Sequence, residues 1–260
     1  MEKISIASYA FHGLVREQRM NVFGYLETVK FRYGAQADIW SGMIASLDDD
    51  YLKKVKAELD ARDLVLANLC VDGPHLWEDD PEVRKANHKN AIEWIHAAEM
   101  LGAKTMRLDA GGRGHESFSD EMMDYIVERF QEYCQLAQDR GFKFGPENHW
   151  GPEVVPETMV QIAQAVNHPA FGVLLHFRGN EGDKLMARYA MHTHVHWATC
   201  EGDLMGTMQM MCDAGYRGYW GIEHHTGQNE YAEVAIQVAK VRDVLDRWKL
   251  AGCECCCSCK

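Results

Sequence analysis

Residues 142–149 read Phe142-Lys143-Phe144-Gly145-Pro146-Glu147-Asn148-His149, a largely apolar run that ends in groups able to bind a cation. A β-strand turns successive side chains to opposite faces, so Glu147 and His149 share one face. Three later stretches repeat the pattern: Leu174-Leu175-His176, His192-Thr193-His194-Val195-His196 and Gly221-Ile222-Glu223-His224-His225. On the same alternation, His192, His194 and His196 fall together, as do Glu223 and His225. A carboxylate or imidazole turned into a packed interior is costly unless it is paired, hydrogen-bonded or ligated. Several that converge there predict a metal site.

Around these stretches, strand-like runs alternate with helical patterns. The runs cover residues 4–9, 37–40, 64–71, 105–109, 142–147, 171–177, 191–197 and 219–223. Such alternation calls for parallel βα units, and eight of them close into a single (β/α)8 TIM barrel of the α/β class. Helix punctuation agrees. Asp80-Pro81 offers an N-cap and a first-turn proline, and Gly102 ends the same segment. Ser119 precedes a stripe of Met122, Met123, Ile126, Phe130, Cys134 and Ala137, stopped by Gly141. Asp48 opens a helix with Leu52, Val55 and Leu59 inward and Lys53, Lys54 and Lys56 toward solvent. Met205, Met208 and Met211 fit helical spacing and read as core. Gly111-Gly112-Arg113-Gly114 reads as a loop, since no Walker-type lysine follows.

The 260 residues, 47% hydrophobic and 25% charged, suit one barrel-sized core, taken as residues 1–250. A net charge of -12, from 27 basic and 39 acidic residues, opposes binding to a nucleic-acid backbone. No apolar run spans a membrane and no signal-peptide core precedes residue 4, so the expected location is the cytoplasm. Cys70, Cys134, Cys200 and Cys212 are expected to be reduced and buried. Residues 251–260 carry the other five cysteines without zinc-module spacing and are expected to be a disordered or appended tail. In barrels the strand C-termini carry the chemistry, and Trp40, Trp77, Trp150 and Trp197 fall there, where flat faces can stack on a sugar. His192 and His225 read as histidines held by ordinary hydrogen bonds, and Arg107 with Asp109 as an ion pair.

Together, Glu147-Asn148-His149, Phe171-Gly172-Val173-Leu174-Leu175-His176-Phe177, the histidine run and Gly218-Tyr219-Trp220-Gly221-Ile222-Glu223 carry a family resemblance. The chain resembles the sugar isomerase and epimerase superfamily with a xylose-isomerase-like barrel. That superfamily includes hydroxypyruvate isomerase, ketose 3-epimerases and inosose dehydratase, and the resemblance runs over residues 4–248. It implies one divalent cation held by Glu147, His176, His194 and Glu223. It also implies that Glu147 and Glu223 are the catalytic acid and base. His75, His149 and His196 could then orient substrate hydroxyls, and Trp197, at its strand end, could stack on the substrate. Two positions depart from the family pattern: His176 replaces the usual aspartate, and His196 a common lysine. An imidazole in place of a carboxylate favours manganese, cobalt, nickel or zinc over magnesium.

The resemblance implies isomerisation or epimerisation of a small ketose or related hydroxy-carbonyl compound through an enediolate. The partner is then a small sugar-like molecule, with neither nucleic acid nor membrane, and a homo-oligomer is compatible. A lyase or dehydratase acting on a keto-sugar or inositol derivative would use the same groups. A nuclease resembling endonuclease IV is disfavoured, because its additional aspartate and histidine ligands are missing here. A non-catalytic sugar-binding protein is the remaining class, kept open by His176.

Overall fold

The computed structural model describes residues 3–179 and 181–251. The cysteine-rich stretch 253–260 lies outside them. Eight parallel strands form the predicted barrel: β1 Ile4–Ala7, β2 Gln36–Trp40, β3 Leu66–Val71, β4 Thr105–Leu108, β5 Lys143–Gly145, β6 Val173–His176, β7 Ala190–Val195 and β8 Trp220–Ile222. They hydrogen-bond in the order β5-β4-β3-β2-β1-β8-β7-β6. β5 and β6 meet through isolated bridges at Phe144 with Phe171 and Glu147 with Leu174, which complete the ring.

Most strands are shorter than the apolar runs suggest, and the residues that drop out are chemically telling. Pro146 has no N–H to give a ladder, so β5 stops at Gly145 and Glu147 stands beyond it. His196 and Trp197 leave β7, and Glu223 lies just past β8.

The helices are α1 His12–Arg16, α2 Val22–Glu27, α3 Asp49–Ala61, α4 Pro81–Leu101, α5 Asp120–Asp139, α6 Pro156–Val166, α7 Glu181–Met186, α8 Trp197–Glu201, α9 Leu204–Asp213 and α10 Glu230–Leu250. α4 begins and ends as its sequence signals. The Asp80 side chain accepts from the Glu82 N–H, and Gly102 closes the helix at φ 71°, a left-handed conformation that glycine adopts freely. The Ser119 hydroxyl likewise caps α5, whose Met122, Ile126, Phe130, Cys134 and Ala137 are buried. Asp48 precedes α3 without capping it, because its carboxylate is taken by the Ser46 hydroxyl at 2.7 Å. In α9, Met208 and Met211 are buried as core residues, whereas Met205 in the first turn is 39% exposed. The four described cysteines are free and buried. Among the described residues no helix is long and apolar enough to cross a membrane.

The seam between β5 and β6 positions the site. Phe144 N–H donates to Ala170 O at 2.9 Å, Gly172 N–H to Phe144 O at 3.1 Å and Leu174 N–H to Pro146 O at 2.9 Å. The backbones approach so closely that a Cβ on Gly145 would stand 1.8 Å from Gly172 O. Beyond the ladder, the Asn148 carboxamide continues the pairing. It donates to His176 O at 3.0 Å and accepts from His176 N–H at 2.7 Å. Gly145→Ala is therefore expected to force the seam apart and destabilise the fold by about 1–3 kcal/mol. Chemical denaturation checks this, and an unchanged midpoint would show that the seam yields freely.

Candidate metal centre

Glu147, His176, His194 and Glu223 come from the ends of four successive strands, and one ligand atom from each lies within 4.8 Å of all the others. Both imidazoles present Nδ1. His176 Nδ1 stands 3.2 Å from Glu147 Oε1 and 3.2 Å from Glu223 Oε2. His194 Nδ1 stands 3.1 Å from the first oxygen and 3.2 Å from the second. Two donors on one ion, with bonds of ~2.0–2.2 Å at octahedral or tetrahedral angles, stand ~3.0–3.5 Å apart. The observed edges match. Glu223 Oε2 is buried without a well-directed hydrogen bond despite its imidazole neighbours, as suits an oxygen shaped for a cation. All four residues are buried, and the mix of two imidazoles and two carboxylates fits a borderline transition metal.

The quartet borders a cavity of about 280 Å3, also lined by Tyr9, Asp38, Trp40, Cys70, Asp72, Arg107, His149 and His225. Buried Arg107 sets its electrostatics. Its Nη1 meets Asp72 at 2.6 Å and Asp109 at 3.2 Å, while its Nε lies 3.1 Å from Glu147 Oε2. The expected Arg107–Asp109 ion pair is present, and the guanidinium also reaches the second oxygen of Glu147. Behind the site, fully buried Asp38 receives His192 Nε2 at 2.8 Å and His194 Nε2 at 3.2 Å on Oδ2.

These contacts oppose desolvation. Burial alone would raise the Glu147 carboxyl, but His149, His194 and Arg107 hold it well below the ordinary range. Burial likewise works against ionised Glu223, and His194, His176 and His225 more than offset it. For His176, burial disfavours the proton, yet Glu147 and Glu223 push its pKa up to about 9. His194 is raised well above normal despite burial, by Glu223 and Glu147.

The other predicted residues divide. His149 lines the cavity with Nδ1 3.5 Å from Glu147 Oε2. His196 does not line it. It borders a neighbouring groove with Arg178 and Thr199, its ring 4.9 Å from that of His176. Burial, then the imidazoles of His176 and His225, lower its pKa to about 4, so it is neutral. His75 packs edge-on against Trp150 outside the cavity, and Trp197 has left the strand to begin α8, also outside it. Of the four strand-end tryptophans only Trp40 lines the cavity. Trp77 lies under Arg84, and Trp150 donates to Asp109 at 3.0 Å. His192 is held by Asp38 as expected, whereas His225 stands at the cavity with Nε2 2.9 Å from Glu223.

Sequence reading missed Asp38, Tyr9 and Asp72, and gave Asn148 no role of its own within the Glu147-Asn148-His149 motif. Asp38 left a trace, a lone acid between Ala37 and Ile39 in an otherwise apolar strand. The others sit in contexts that read as ordinary loop or strand-end polarity.

Residues 26–244 match the Xylose isomerase-like TIM barrel family, and the chain belongs to it. No curated protein matches significantly. Among solved structures, the chain is similar to D-psicose 3-epimerase with D-tagatose from Clostridium cellulolyticum H10, at TM-score 0.74 and 15% identity over 95% of this chain and 98% of that one. It is similar to a xylose isomerase-like TIM barrel protein from Mycobacterium smegmatis in complex with magnesium, at TM-score 0.73 and 14% identity over 96% and 98%. It also resembles the probable 3-DHS dehydratase AsbF from Bacillus anthracis, at TM-score 0.72 and 13% identity over 93% and 99%. At such identities the likeness concerns the fold.

The raised His176 pKa carries a pH signature. Without metal, the proton held between the carboxylates stabilises the fold fully below the unfolded value of ~6.5, and that contribution is lost as pH rises through about 9. A cation held by the quartet would take the proton's place, so any Tm increase on adding zinc or manganese is expected to grow between pH ~6.5 and about 9. Thermal melts with and without metal check this, and a metal-induced shift that shrinks over the window would contradict it.

Proposed function

We propose that this protein is a divalent-metal-dependent enzyme that isomerises or epimerises a small ketose or related hydroxy-carbonyl compound. The reading rests on one observation: four donor groups from successive strands converge within 4.8 Å beside a cavity at the catalytic end of the barrel. Glu147, His176, His194 and Glu223 would hold the cation. The two imidazoles favour manganese, cobalt, nickel or zinc over magnesium. When bound, the ion polarises the substrate's carbonyl and hydroxyl oxygens and makes the adjacent C–H more acidic.

The protein's own groups handle the proton. Every imidazole contact of Glu223 runs through Oε2, which leaves Oε1 to accept a carbon-bound proton from a substrate in the cavity. Glu147 is placed differently, its Oε2 against Arg107 and His149. Two carboxylates in different surroundings suit removal of a proton on one face and its return on another. Trp40 and Tyr9 supply flat walls, and His149 and His225 supply polar contacts for hydroxyls. A cavity of about 280 Å3, near the lower end of the ~300–1,000 Å3 usual for ligand sites, suits a monosaccharide-sized compound. The similar folds of a ketose epimerase and a dehydratase are consistent with chemistry next to a carbonyl.

Metal-loaded protein should therefore take up solvent deuterium into a ketose or keto-sugar without change of covalent composition. Loss of water, seen by mass spectrometry, would reassign it as a dehydratase. Glu147→Gln and Glu223→Gln should each lower turnover by roughly 10²–10⁴-fold with the fold intact. Full activity in both variants would reject the assignment.

A further inference from the structure

We propose that Asp38 is a positioning residue of the metal centre: its carboxylate accepts the Nε2 proton of His194, so that Nδ1 faces the cation, and its negative charge makes that nitrogen a stronger ligand. This rests on the metal reading above, but Asp38 itself touches neither the quartet's shared centre nor its carboxylates.

An imidazole ligates only through an unprotonated nitrogen, so a neutral His194 that offers Nδ1 must carry its proton on Nε2. That Nε2–H is buried and needs an acceptor. Asp38 Oδ2 stands 3.2 Å away, while the next candidate, Cys70 Sγ, is at 3.9 Å. β2 and β7 are separated in the sheet by β1 and β8, so the contact crosses the barrel interior and cannot arise from neighbouring-strand pairing.

The carboxylate is itself held on several sides. His192 Nε2 meets the same oxygen at 2.8 Å. Asn68 Nδ2 donates to Oδ1 at 3.1 Å, and the Asn68 oxygen accepts from the Thr105 hydroxyl at 2.8 Å. The Asp38 backbone is pinned by Tyr25, whose oxygen accepts its N–H at 2.8 Å. A chain of contacts from β4 through β3 and β2 therefore ends on one nitrogen of His194. Without the carboxylate, the Nε2 proton loses its acceptor and the competing tautomer places a hydrogen on Nδ1, where the cation must bind. An anionic partner also raises the basicity of the ligating nitrogen.

The test moves the charge one residue away and keeps an acceptor for His192 and His194, at the expense of the Asn68 and Asp38 contacts with Cys70 Sγ. In the double variant Asp38→Asn with Asn68→Asp, the carboxamide oxygen introduced at position 38 can still accept from His192 and His194. Its NH2 can donate to the carboxylate introduced at position 68, which still accepts from Thr105. Zinc affinity, measured by competition with a chelating dye, should fall by roughly 10- to 100-fold while the melting temperature of the metal-free protein is kept. Alongside it, the imidazole nitrogens of 15N-histidine-labelled, zinc-loaded wild type should show His194 protonated at Nε2 and bare at Nδ1. A double variant that binds zinc as tightly as wild type overturns the proposal. So does a wild-type His194 protonated at Nδ1, a measurement that stands even if the variant does not fold. Wild type that binds no zinc, manganese, cobalt or nickel would instead overturn the metal reading itself, and this inference with it.

Discussion

Glu147 and Glu223 face the same pair of imidazole nitrogens, four contacts of 3.1–3.2 Å within a water-poor interior. Burying one carboxylate is expensive and burying two side by side more so, unless positive charge lies between them. Protons on His176 and His194, both raised in pKa by the two carboxylates, serve that end, and a divalent cation held by the quartet would meet the same need. The surrounding architecture follows from keeping these four groups at that spacing. Glu147 and Glu223 lie just beyond the ends of β5 and β8, His176 and His194 among the last residues of β6 and β7, and at the β5–β6 seam the Asn148 side chain does the hydrogen bonding that a longer strand would have done.

The environment of the two carboxylates differs, and the difference has chemical meaning. Glu147 is clamped from behind by Arg107, which is itself held by Asp72 and Asp109, so its charge is spread over a rigid network. Glu223 faces His225, whose side chain is 45% exposed at the cavity. Both acids are buried, but Glu147 is tied to the guanidinium network whereas Glu223 adjoins the more open, His225 side of the cavity. His196, at the family's common lysine position, stays neutral because burial disfavours its charge, with repulsion from His176 and His225 adding to that.

Helix punctuation was legible because capping is local: Asp80, Ser119 and Gly102 act within one turn of themselves. Where a local signal met a competing neighbour it misled, as at Asp48, whose carboxylate prefers Ser46 to the helix end. The tryptophans misled for a similar reason. A strand-end position brings a ring near the mouth of the barrel, but Trp77 and Trp150 find a guanidinium and a carboxylate of their own, and only Trp40 is left facing the cavity.

By itself the sequence determined the eight βα units and the acidic character of the chain, since strand alternation and apolar periodicity are short-range properties written in consecutive residues, while the four residues whose donor atoms meet were singled out by the family resemblance of their motifs. Only the tertiary structure decided that Asp38 reaches His194 across 156 positions, that Arg107 joins Asp109 to Glu147, and that His75, His196 and Trp197 stand away from the cavity. Barrel closure sets those distances. Strands far apart in sequence are brought face to face by a ring whose curvature no single stretch of residues encodes.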